Sequence, residues 1–165
     1  MPFNPNPLDR EGALGALIDE YERAVGNLCE LLGTISQARF EAIADPNTSD
    51  PDCVSIQTVV RHVLRAGYGY ARYIQKALGQ IVDDSDLVAA INTHTPQDAI
   101  DSLQIMFDVN VQRLYNENRQ LIEAQMGLSF TVPWNEVYNI DQLLEHAVMH
   151  VLRHRRQISR FLNLV

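Results

Sequence analysis

The stretch that decides the fold is Asn139–Phe161, NIDQLLEHAVMHVLRHRRQISRF. On a helical wheel of about 100° per residue, Ile140, Leu143, Leu144, Ala147, Val151, Ile158 and Phe161 gather on one apolar stripe. Asn139 and Gln142 form an Asn-x-x-Gln capping box, which satisfies free N–H groups at a helix start. The segment therefore predicts a long amphipathic helix with its own start signal. It also carries His146, His150 and His154, each four residues after the last. His154 falls inside the apolar stripe, His150 at its edge, and His146 outside it. Side chains four apart on a helix sit about 6 Å apart at Cβ, close enough to chelate one metal ion. The same pair also reads as two solvated or hydrogen-bonded histidines.

Helical periodicity extends outward from this segment. A third helix starts at Thr95-Pro96-Gln97-Asp98, with a capping threonine, a proline at the first position and an acid facing the dipole. It is expected to run to about Gln125, before Gly127. Asn110 and Glu117 fall on its apolar side with Leu103, Met106, Phe107 and Leu114, which makes them candidates to orient a metal ligand or line a pocket. The second helix starts at Ser55 and reaches about Leu78, with Gly79 as its stop. His62 is its only histidine and lies on the flank of its apolar stripe, with Tyr73 further along that flank. The first helix is expected from near Pro7 to Gly33, followed by a short piece, Ser36 to Ala44. PNTSDPD, residues 46–52, is turn chemistry, and a short extra helix is expected around Ser85 to Ile91. The one strand signal, SFTVPW at 129–134, is weakened by Pro133. Four long amphipathic helices predict an all-α, up-down four-helix bundle in a single domain over 1–165, with 1–7 a loose arm.

Composition narrows the function. The 165 residues are 46% hydrophobic and 21% charged, an ordinary globular balance. A net charge of −8 argues against nucleic acid as a partner, and no apolar run approaches the roughly 20 residues of a membrane span. The N-terminus lacks a basic start and an apolar run, so no secretory signal is read and a cytoplasmic location is expected. Cys29 and Cys53 are too few for a disulfide framework. Arg153, Arg155, Arg156 and Arg160 crowd the last helix, where Arg153 and Arg155 are candidates to bind a carboxylate. HExxH, Glu-x-x-His repeats and glycine-rich phosphate loops are all absent. His94, in a Thr-His-Thr-Pro loop, reads as an exposed residue beside a helix cap.

A histidine early in the second helix, in QTVVRHVLRAGYGY, followed by HVLRHRRQI in the last helix, resembles the DinB-like (DinB/YfiT) superfamily. The resemblance covers nearly the whole chain in helix order. One departure is Arg156, where members often have glycine; on the wheel it points outward. The resemblance implies that His62, His150 and His154 bind one divalent metal ion, with zinc or nickel expected first, then iron or manganese. It also implies a homodimer in many members. Some members are transferases or isomerases that use a low-molecular-weight thiol, so a metal-dependent transferase or hydrolase acting on a small-molecule substrate is expected. A non-catalytic, stress-associated metal-binding protein is the alternative.

Overall fold

The computed structural model describes residues 10–82 and 93–163. The expected arm at 1–7 and the short helix at 85–91 lie outside them. Among the described residues the protein is mostly helical, with one small two-stranded sheet. The helices are α1 (Gly12–Leu32), α2 (Gln37–Glu41), α3 (Ile56–Ala77), α4 (Pro96–Val111), α5 (Arg119–Ala124) and α6 (Ile140–Phe161). A 3-10 turn, Pro51–Cys53, precedes α3, and a π-helical turn, Gln112–Asn116, separates α4 from α5.

The helix starts follow local chemistry. Ser55 and Thr58, Thr95 and Asp98, and Asn139 and Gln142 each form a reciprocal capping box. Each long helix then buries one stripe. Leu14, Ile18, Val25 and Leu28 of α1 meet Val59, Val63 and Ile74 of α3, Leu103 and Met106 of α4, and Leu143, Val151 and Ile158 of α6 in one core. α1 packs on α6 and α4, and α3 packs on the same two helices. At Gly67 α3 comes close to α4, since a Cβ there would stand 2.6 Å from Met106 Sδ. No described helix is long and apolar enough to cross a membrane.

Two departures from the sequence expectation bear on the site. The third helix is not continuous to Gln125. At the π turn the Glu117 N–H donates to Gln112 C=O five residues back, at 3.0 Å. One extra residue in a turn rotates everything beyond it by about 100°. Glu117 therefore leaves the apolar side: it is exposed and accepts from Gln112 Nε2 at 3.1 Å. The second departure is an antiparallel hairpin, β1 (Ser129–Thr131) with β2 (Val137–Asn139), pairing Phe130 with Tyr138. Pro133 is no obstacle because it lies in the turn, where Asn135 takes the left-handed conformation at φ 62°. Trp134 thus sits at the hairpin tip, and β2 leads directly into α6.

Candidate metal centre

His62 lies on the second turn of α3, and His150 and His154 lie one turn apart on α6. Packing of α3 on α6 brings the three together, with one ring nitrogen from each within 4.8 Å of the others. The ring centroids of His62 are 4.9 Å from those of both His150 and His154, which are 4.4 Å from each other. His62 Nε2 stands 2.9 Å from His150 Nε2. Among the described residues no cysteine or carboxylate joins the group.

The outer ring nitrogens explain why the inner ones face each other. Asp52, in the 3-10 turn ahead of α3, has Oδ2 at 3.1 Å from His62 Nδ1 and 2.5 Å from an Arg65 nitrogen. A carboxylate only accepts, so Nδ1 of His62 is the donor to Asp52, which turns Nε2 toward the other two histidines as the nitrogen available to a metal. Asp50 fixes the turn by accepting the Asp52 N–H at 2.9 Å. On α6, His154 Nδ1 donates to Gln157 Oε1 at 2.8 Å, which leaves its Nε2 as a lone pair as well. Burial opposes ionisation of Asp52, but the hydrogen bond and charge of Arg65, with His62, outweigh it and hold the carboxyl below its usual range.

His150 and His154 are 6% and 4% exposed. Burial first, then the neighbouring histidines, pushes His150 down to about 2. Burial pushes His154 down to about 4, against the Gln157 hydrogen bond. Both are neutral imidazoles at neutral pH, the form that binds metals. His154 Nε2 is buried and has no hydrogen-bond partner. A buried lone pair without a donor is costly, and a cation relieves it. Metal–nitrogen bonds of about 2.1 Å in a tetrahedral arrangement put ligand nitrogens about 3.4 Å apart, between the spacings found here. The residues fit a single divalent ion.

Asn110 is buried and donates to Gly67 C=O at 3.1 Å, tying α4 to α3 rather than orienting a histidine. Glu117 is carried off the core side by the π turn. Tyr73 stacks edge-on to Trp134 at 6.0 Å, at the rim. Tyr70, one turn nearer His62, instead meets His150 at 5.7 Å and His146 at 5.4 Å. Arg153 is exposed and lines a cleft beside His150. His146 lies outside the group of three, stacked between Trp134 at 6.0 Å and His150 at 6.1 Å. His94 is exposed beside the α4 cap, where its N–H donates to Asp98 at 3.0 Å. Cys29 is buried and Cys53 half-buried, and neither forms a disulfide.

Sequence reasoning missed Asp52 and Gln157. Gln157 had a signal, since it follows His154 by three residues on the same helix. Asp52 had none, because its reach to His62 depends on the turn between them. Compared with known proteins, the chain matches no protein-family model and no curated protein, so the chemistry of this centre rests on its own residues.

Proposed function

We propose that the protein is a metal-dependent enzyme of DinB-like type, in which α1, α3, α4 and α6 form an up-down four-helix bundle around one divalent metal. The ligands are His62, His150 and His154. The observation that carries this reading is the buried His154 Nε2 without a partner, facing two further imidazoles. Three neutral nitrogen donors favour zinc or nickel over the oxygen-seeking cations. Iron and manganese are the alternatives.

Three protein ligands without a fourth are the arrangement of a catalytic site rather than a closed structural one. A divalent ion bound there supplies Lewis-acid chemistry, lowering the pKa of a water or thiol presented to it. Asp52 and Gln157 lock the ring orientations of His62 and His154. Tyr70 packs its ring against His150 and shields that side from water. The substrate class is a small molecule, activated for thiol transfer or hydrolysis. The molecule works as a homodimer in the cytoplasm, where its two cysteines stay reduced.

Metal analysis of untagged protein tests this directly. Wild type is expected to carry about one equivalent of a divalent metal, His150→Ala to lose at least tenfold in affinity, and His146→Ala to keep it. Wild-type protein that binds no metal after incubation with zinc or nickel, or His150→Ala protein that binds it unchanged, overturns the reading. With metal bound, turnover of a thiol acceptor or an ester separates the enzyme from a non-catalytic metal-binding protein.

A further inference from the structure

The outer face of α6 carries a feature that the three histidines do not use. A cleft of about 610 Å³ runs along it, lined by Arg153, Arg155, Arg156 and Arg160, with Met149 and the edge of His150. Among the described residues none of these four arginines has a carboxylate partner. The chain has 21 acids against 13 lysines and arginines, yet none of those acids is placed against this cluster among the described residues. Elsewhere four arginines have carboxylate partners, Arg10 with Asp19 and Glu22, Arg23 with Glu20, Arg65 with Asp52, and Arg119 with Glu11 and Glu123, while Arg39 and Arg61 donate to the backbone carbonyls of Phe161 and Thr93.

The helix dipole does not account for the cluster. Its pull on cations falls off within the last turn, and only Arg160 lies there. Arg153, Arg156 and Arg160 are three or four residues apart, a spacing at which like charges on a helix repel. An anion removes that repulsion. The helical rise spreads the three over about 10 Å of axis, more than one phosphate spans. On the wheel Arg153 sits one turn beyond His150, on the same side.

The geometry points to an anion subsite: a small molecule with two separated carboxylate-type groups lies over Arg153, Arg156 and Arg160, with its other end beside His150 at the metal centre. Guanidinium forks match carboxylates two bonds at a time, which gives orientation as well as attraction. This deepens the metal-centre reading by naming its substrate class and rests on that reading for the reacting end alone.

Adipate is the probe, with 1,6-hexanediol as its neutral counterpart and inorganic phosphate as a single-centre anion. Binding is followed by ligand-observed NMR on the full chain, with metal content measured on the same samples. Adipate is expected to bind more tightly than either comparator, with and without metal. R156Q/R160Q is expected to weaken adipate by about tenfold, R156K/R160K to retain most of the affinity, and R23Q on α1 to change nothing. Circular dichroism melts confirm that each variant is folded. Diol or phosphate binding as tightly as adipate overturns the proposal, and so does adipate binding that survives R156Q/R160Q unchanged. Arginine-dependent adipate binding in a protein that takes up no metal sustains the subsite and sinks the metal reading, so the two failures are distinguishable.

Discussion

Burial keeps His150 and His154 uncharged, and that has a consequence for stability. The ordinary imidazole value is 6.5, while His154 is held down to about 4 and His150 lower still. Between those values the unfolded chain binds protons that the folded chain refuses, so stability is lost as pH falls below 6.5. Each such histidine contributes a slope of up to about 1.4 kcal/mol per pH unit. Chemical denaturation of the metal-free protein is expected to show flat stability above about pH 7 and a steady fall toward pH 4.5. Stability that stays level or rises over that interval contradicts the neutral, buried pair. The outer hydrogen bonds make a second prediction. Asp52→Ala and Gln157→Ala are each expected to cost about 10- to 100-fold in metal affinity, read by competition with a chromogenic chelator. Unchanged affinity in both would mean that the rings need no orienting partner. At this scale the helical wheel separated His150 and His154 from His146, because the apolar stripe of α6 sets which side chains turn inward. His62 came from the family resemblance, since one histidine on the flank of a helix carries no ligand signal of its own. Asp52 was illegible because ten residues of turn and helix separate it from His62.

Helix starts were legible because capping is local. Ser55, Thr95 and Asn139 each begin a helix where side-chain chemistry says one should begin. The break after Val111 was not legible, because the apolar spacing continues through Leu114 and Leu121 and a π turn leaves no mark in composition. The hairpin was masked by Pro133, which weakens a strand but suits a turn. Both features matter to the site, since the π turn removes Glu117 and the hairpin brings Trp134 against His146. Asn110 is the element-scale test. Its bond to Gly67 C=O holds α4 against α3, so Asn110→Ala is expected to lower stability by about 1–3 kcal/mol in thermal or urea unfolding while metal stoichiometry stays at wild type. Loss of metal with unchanged stability would instead make Asn110 a positioning residue of the centre.

For the whole molecule, the all-α class followed from periodicity, and the packing of α1 and α3 on both α4 and α6 sets where the histidines meet. Two adjacent helices contribute the ligands, so a bound metal ties α3 to α6 and exists only in the folded chain. Binding is therefore linked to folding, and metal at 100 times its dissociation constant is expected to add about 2.7 kcal/mol to the stability of wild type. The same addition is expected to leave the His62→Ala melting curve nearly unmoved, because the remaining pair lies on one helix and chelates weakly. An equal shift in wild type and His62→Ala would place the metal elsewhere. The most direct test of the three-histidine centre is X-ray absorption spectroscopy of the protein loaded with one equivalent of zinc. Nitrogen scatterers are expected at about 2.0–2.1 Å with the multiple-scattering pattern of three imidazoles, plus at least one non-protein oxygen. A sulfur scatterer at about 2.3 Å, or a pattern of one imidazole that His154→Ala leaves unchanged, would contradict that centre.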